Sequence, residues 1–339
     1  MVKLGFRIPK YYEPAEREPY RKTMELAILA EEAGFDFGTF GHRVVMPDSP
    51  NHAAPIVALA AVAARTTRLR LATSIYVLPF HHPITVAEQI GQLDQISGGR
   101  VIFGVGIGYR DYEFAAYGLS RADRVARTVE AMQAIREGWR RGYFEFSGKH
   151  FNIPRSPVDP VPIQAPHPPM WMGGAAEPAV KRAARYADGW LSNNTMTSDG
   201  IAGRVASYAR YCEEEGHPLG TVTVVRNAWV AGSRAEVERD WLPEVLKFQL
   251  DYQRAGVERP GEDGSYARLL STGNVKLEDF VTEWGIAGTP EDCIAQIERW
   301  RAKTGCDYMN LMFTGAGGFE AHRKVIQMFG REVIPALSS

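Results

Sequence analysis

A chain of 339 residues is long enough for two ordinary domains or one large barrel. Lys and Arg (39) almost cancel Asp and Glu (40), so bulk charge gives no reason to expect nucleic acid or an anionic membrane as partner. The hydrophobic fraction of 45% is ordinary for a globular chain, no apolar run reaches bilayer-spanning length, and the opening "MVKLGFRIPKYYEP" lacks a signal-peptide core, so a cytoplasmic protein is expected.

Along the chain, short apolar runs alternate with helical periods. "KLGFRIP" reads as a first strand, and "YRKTMELAILAEEAGFD" places Leu26, Leu29, Ala30 and Ala33 on one helical face before Gly34 stops it. "FDFGTFGH" is the second strand and "APIVALAAVAARTT" a small-residue helix. "RLRLATSIYVL" is the third strand, followed by a helix with Val86, Ile90 and Leu93 on one face. "RVIFGVGIG" is the fourth, with its helix expected over 122–141. Proline-rich "FEFSGKHFNIPRSPVDPVPIQAPHP" interrupts the rhythm as a surface excursion that can hold a hairpin. "PMWMGG", "DGWLSN" and "TVTVVRNAWVAG" supply strands five to seven. An irregular, glycine-broken helical insertion is expected over about 234–286. "GTPEDCIAQIERWRAKTG" is a helix with Thr289 at N-cap, Pro290 at N1 and Asp292 at N3, and "CDYMNLMF" is the eighth strand. Eight strand–helix units predict one (β/α)8 TIM barrel spanning 1–339, with the insertion after strand seven. A doubly wound sheet is the alternative, but no switch point is recognisable.

The run Gly104, Gly106, Gly108 resembles a dinucleotide fingerprint only superficially. The third position of G-x-G-x-x-G is Tyr109, and the run ends strand four rather than strand one. Small residues at a crowded strand end, leaving space for a ligand ring, explain it better. In a barrel that end carries the chemistry. The polar residues placed there are His42, Ser74, Tyr109, Arg110 and Glu113, then Asn193, Asn194 and Thr195, with Arg226 and Asn227 within strand seven. His81 and His82, ahead of a helix, read as packing or capping residues. The eight histidines show no metal-type spacing, and Cys212, Cys293 and Cys306 are isolated, so no metal is expected. "MGGAAEPAV" leads small residues into a helix, a loop suited to phosphate but equally to a tight turn.

Taken together, "LPFHHPITVAEQIGQLDQISGGRVIFGVGIGYRDYEFAAYG", "MWMGGAAEPAVKRAARYADGWL" and "GIAGTPEDCIAQIERW" resemble the bacterial luciferase-like flavin monooxygenase superfamily over nearly the whole chain. The resemblance implies a TIM barrel with an insertion after strand seven and a flavin-type cofactor at its C-terminal mouth, FMN in one branch and deazaflavin F420 in the other. It matches His42 to a histidine facing the ring system, Ser74–Ile75 to a site where a non-prolyl cis peptide lies behind it, and Gly173, Gly174 and Ala175, with Ala176 beside them, to the phosphate loop. Phe6, Gly106, Trp190 and Asn193 are the further expected cofactor contacts; His42, Tyr109 and Glu113 are the expected catalytic residues. Phe40, Tyr76, Trp171 and Trp229 join Phe6 and Trp190 as aromatic residues shared between pocket and core. Gly41-His42-Arg43 and Ile107 depart from the luciferases proper, so light emission is not expected; Arg7, Arg43 and Arg110 are candidates to meet the phosphate.

The leading expectation is a monooxygenase using reduced FMN and O2 on a small organic substrate, served by a separate flavin reductase, with a homodimer as the family's habit. The alternatives are an F420-dependent hydride-transfer oxidoreductase, with His42 and Glu113 as acid and base, and a non-catalytic flavin-binding protein on the same barrel.

Overall fold

The structure, a computed structural model, describes residues 2–9, 19–44, 54–254, 265–271, 273–314 and 317–338. Eight parallel strands close on themselves: β1 (Lys3–Arg7), β2 (Phe37–Phe40), β3 (Arg70–Thr73), β4 (Val101–Gly106), β5 (Met170–Gly173), β6 (Gly189–Leu191), β7 (Thr221–Val230) and β8 (Tyr308–Met312). Each pairs with the next, and β8 returns to β1 through Lys3 opposite Tyr308. The fold is therefore a (β/α)8 barrel, and an open doubly wound sheet is excluded. Strands of such a barrel are buried on both faces, which is why "VIFGVG" shows no alternation of polar and apolar residues.

Two apolar layers result. Inside the barrel lie Phe37, Ala72, Ile102, Trp171, Leu191, Val225, Tyr308 and Met312. The larger layer, between strands and helices, takes the opposite faces, including Phe6, Phe40, Phe103, Met172, Trp190 and Leu311. At the N-terminal end of the barrel the Tyr308 hydroxyl accepts from Lys3 Nζ and from an Arg70 guanidinium nitrogen, each at 3.2 Å.

The proline-rich excursion contains the hairpin Tyr143–Ser147 with Asn152–Pro157. Its tip is held by the Glu130 carboxylate, which accepts from the main-chain N–H groups of Lys149, His150 and Phe151. Fully buried Asp94 pins the return to β5 by accepting from the N–H groups of Ile163 and Gln164 at 2.8 and 2.9 Å.

The segment after β7 contains a π-helical turn Val237–Trp241 and helices Leu242–Arg254, Ser265–Ser271 and Leu277–Glu283. Residues 255–264 and 272 of the expected insertion lie outside the described residues. Trp241 roots it: its indole N–H donates to the Thr314 carbonyl at 2.7 Å, and its ring is nearly parallel to Trp229 at 6.4 Å. The sequence reading missed one strand, Gly285–Gly288, which pairs with β7 over Asn227–Val230. At Asn227 that partner lies opposite Met312 of β8, on the edge that β6 occupies lower down at Thr221–Thr223. The short strand thus extends the barrel wall above the end of β6. The helix Pro290–Thr304 follows with the expected capping box between Thr289 and Asp292.

Candidate active site

At the C-terminal ends of β1 to β4 the floor of the mouth is defined by close approaches. The Ser74–Ile75 peptide is cis. A Cβ at Gly106 would lie 2.2 Å from Ile75 Cδ1, and one at Gly173 would lie 3.1 Å from Ile75 Cγ2. A Cβ at Gly104 would come within 2.0 Å of the Thr73 carbonyl oxygen. The first two glycines of "GVGIG" thus make room for Thr73 and Ile75, protein atoms rather than the ring that the sequence suggested. Gly41 is small for a similar reason, because a Cβ there would sit 2.4 Å from a terminal nitrogen of Arg7. Arg7 therefore lies across the end of β2. Below, the buried Asn310 carboxamide donates to Thr39 Oγ1 at 3.2 Å and to Ser74 Oγ at 3.4 Å.

His42 leaves β2 at this level. Its main-chain N–H donates to the Ile75 carbonyl at 3.0 Å, and its Nδ1 accepts from the Val77 N–H at 3.3 Å. An acceptor at Nδ1 places the proton of the neutral ring on Nε2. The ring stacks on Tyr76 at 4.7 Å, and Tyr76 contacts His81 at 4.7 Å, closing a three-ring cluster. Burial pushes the His81 imidazole down to about 4 and raises the Tyr76 phenol, so both are neutral near pH 7. His82 caps the helix Pro83–Ser97 through Nδ1, which accepts from the Ile84 N–H.

The lip after β4 differs from expectation. A six-residue helix, Asp111–Ala116, begins well before residue 122. Tyr109 is 39% exposed on this lip, with the Arg110 guanidinium 5.0 Å from its ring centre. Glu113 is buried; it accepts from the Val44 N–H at 3.2 Å and lies 3.8 Å from Arg110. It fastens the segment following His42, a link across 69 residues that no local pattern announces.

The turn Gly173–Ala176 opens the helix Glu177–Tyr186 without a side-chain cap. Its carbonyls are tied back: Trp190 donates to Gly174 at 2.7 Å and Arg204 Nε to Ala175 at 2.8 Å. Among the described residues, none accepts from the main-chain N–H groups of Ala175, Ala176 or Glu177. Three unengaged N–H groups at the positive end of a helix fit a phosphate. Glu177 does not compete, because its carboxylate is held by Arg204 and by the Tyr211 hydroxyl. Arg182 in the same helix is pushed down by burial and by the neighbouring Arg124, cations absent from the sequence-based candidates.

Other expected contacts fall elsewhere. Phe6 points into the outer layer against Phe35 and Phe313, at 5.3 and 6.3 Å, and does not reach the mouth. Trp190 is likewise fully buried in that layer and supports the Gly173–Ala176 turn from behind. Phe40 shares this layer and Trp171 sits inside the barrel beside Tyr308, while Trp229, on the same strand face as Val225, packs against Trp241 and His322. Asn193 turns its Oδ1 onto the N–H groups of Thr195 and Met196, shaping the loop after β6.

No group of three or more His, Cys, Asp or Glu among the described residues is placed to hold a metal ion. Nor is any described helix long and apolar enough to cross a membrane. Comparison with known proteins agrees with this geometry. Residues 2–308 match the family model described as luciferase-like monooxygenase. The chain is 27% identical over 326 residues to an FMNH2-dependent dimethylsulfone monooxygenase of Pseudomonas putida, covering 92% of this chain and 86% of that protein. It is 25% identical over 345 residues to an F420-dependent glucose-6-phosphate dehydrogenase of Nakamurella multipartita, covering 96% and 95%. The crystal structure of monooxygenase RslO1 from Streptomyces bottropensis shares the fold, with a TM-score of 0.82, 24% identity and 99% of each chain covered. The match over residues 2–308 places this chain, a closed barrel whose mouth joins a histidine, a cis peptide and a turn of unengaged main-chain N–H groups, in the luciferase-like monooxygenase family.

Proposed function

We propose that the chain is an FMN-dependent monooxygenase that oxidises a small organic substrate with O2. The observation that carries this reading is the near full-length similarity to the FMNH2-dependent dimethylsulfone monooxygenase; the unengaged turn at Ala175–Glu177 supports it. Reduced FMN, when bound, supplies the two electrons that let one atom of O2 enter the substrate and the other leave as water. The chain's own part is binding, orientation and proton placement. Gly173–Ala176 holds the phosphate, Ile75 backs the ring site, and His42 offers the Nε2 proton that its bond from Val77 assigns. Tyr109 lines the entrance, and Glu113 keeps the segment after His42 in place. A separate reductase delivers reduced FMN, and the working form is a cytoplasmic homodimer. The test is FMN titration by fluorescence quenching, followed by O2 consumption with photoreduced FMN. Protein that neither binds FMN nor alters O2 consumption overturns the proposal.

The similarity to the F420-dependent dehydrogenase favours a second reading, hydride transfer without oxygen. A parallel titration with F420 separates the two: tighter F420 binding with no O2 uptake assigns the chain to that branch.

A further inference from the structure

Arg226 and Asn227 of strand β7 are buried polar residues that the site above leaves unused. Asn227 and Arg226 are adjacent, so they face opposite sides of the strand. Arg226 is fully buried, with 0% exposure. Its guanidinium lies 3.8 Å from the centre of the Trp300 ring. Nη1 donates to the carbonyls of Val225 at 2.7 Å and Asn193 at 3.2 Å, and Nη2 donates to that of Met196 at 3.0 Å. No carboxylate among the described residues forms an ion pair with it; Glu283 acts on it only through space while accepting from the Ser198 N–H and hydroxyl. Among the described residues its Nε has no hydrogen-bond partner.

A buried cation without a counter-ion is a poor way to gain stability. Taking a guanidinium out of water costs a desolvation penalty that only well-placed partners offset. The reason for a guanidinium here lies in what it holds. Two of its three carbonyls belong to residues 193–196, the loop that leaves β6 at the mouth of the barrel. The carbonyl between them, that of Thr195, accepts from the Trp284 indole at 3.0 Å. The Arg226 and Trp284 bonds come from outside the loop, from β7 and from the end of the insertion. Beside them are the local ones from Ser192 Oγ to the Asn193 carbonyl and from the N–H groups of Thr195 and Met196 to Asn193 Oδ1. The loop lies where β6 stops and Gly285–Gly288 takes over the edge of β7, so no strand pairing holds it.

We infer that Arg226 is a positioning residue, fixing the main chain of residues 193–196 from behind so that the mouth presents one shape to its ligand. The identity of that ligand rests on the function proposed above; the hold on the loop does not. Arg226→Met keeps most of the volume and removes the fork, whereas Arg226→Lys keeps the charge with a single head group for three carbonyls. In ligand-free protein, hydrogen exchange across residues 192–197 is compared with thermal unfolding, and FMN affinity is read by fluorescence quenching. Arg226→Met is expected to stay folded with a lowered unfolding temperature, because three carbonyls lose their donor, while exchange at Thr195 and Met196 rises at least about tenfold more than in the barrel strands. It is also expected to bind FMN about tenfold more weakly, with Arg226→Lys recovering part of both losses. A folded Met variant with unchanged loop exchange overturns the inference. So does faster exchange with unchanged FMN affinity, and so does failure of both variants to fold, which would assign Arg226 to stability alone. Wild-type protein that binds neither FMN nor F420 would remove the proposed function, and the exchange comparison would still decide whether Arg226 holds the loop.

Discussion

Ile75 shows how little space the mouth leaves to chance. Its side chain lies over the two inward-facing positions Gly106 and Gly173, so each glycine exists because of a residue distant in sequence. Gly106→Ala would drive a Cβ to within 2.2 Å of Ile75 Cδ1. The expected loss is about 1–3 kcal/mol of unfolding free energy, measured by urea titration. Adding Ile75→Val removes Cδ1 and should restore part of that loss; no restoration would show that Ile75 is not the obstacle. A second residue-scale effect comes from His81. Its folded-state value near 4 lies below the ordinary 6.5, so the unfolded chain binds more protons between those values. Its contribution to stability is therefore complete above about pH 6.5, falls as the pH drops towards 4, and changes no further below that. Between pH 7.5 and 5 the protein should lose on the order of 1–2 kcal/mol from this group. His82 and His322, also lowered by burial, act in the same direction. His81→Gln should flatten the pH profile relative to wild type, and an unaltered profile would remove His81 as its source.

At the scale of elements, the root of the insertion makes the clearest demand. Trp241 satisfies the Thr314 carbonyl beyond β8 while resting on Trp229 of β7, so one side chain ties the insertion to two strand ends. Trp241→Phe keeps an aromatic ring and removes the donor. It should cost about 1 kcal/mol in stability and speed proteolytic cleavage within 234–283; unchanged cleavage would show that the bond does not restrain the insertion. Elements of this kind differ in how far the sequence announces them. The capping box at Thr289 and Asp292, the helix stop at Gly34 and the strand order were readable because their signals are local. Gly285–Gly288 was not, since four residues become a strand only when β7 offers a free edge above β6. The misplacement of Phe6 and Trp190 has a different cause. Barrel strands are apolar on both faces, so composition cannot tell the inward face from the outward one; only register does. Glu113 was read as chemistry because a carboxylate after a barrel strand invites that reading, while its partner, the Val44 N–H, carries no side-chain signature.

At the scale of the whole molecule the two ends of the barrel have separate tasks. The C-terminal end holds Ile75, His42 and the Gly173–Ala176 turn, whereas the N-terminal end is closed by Tyr308 between Lys3 and Arg70. Those three residues belong to β8, β1 and β3, so the hydroxyl joins strands on either side of the closure. Tyr308→Phe leaves the ring contacts with Phe37 and Trp171 in place and deprives two cations of their shared acceptor. The expected effect is a loss of about 1–2 kcal/mol in stability with FMN affinity unchanged. His42→Asn should do the reverse. An Asn side chain can still accept from the Val77 N–H but offers no Nε2 proton, so stability should stay within about 1 kcal/mol of wild type. Turnover in the O2-consumption assay should fall at least about tenfold. Denaturation and turnover measured on both variants separate the two ends. If Tyr308→Phe lowers turnover as much as His42→Asn does, the division of the barrel into a supporting end and a working end is wrong.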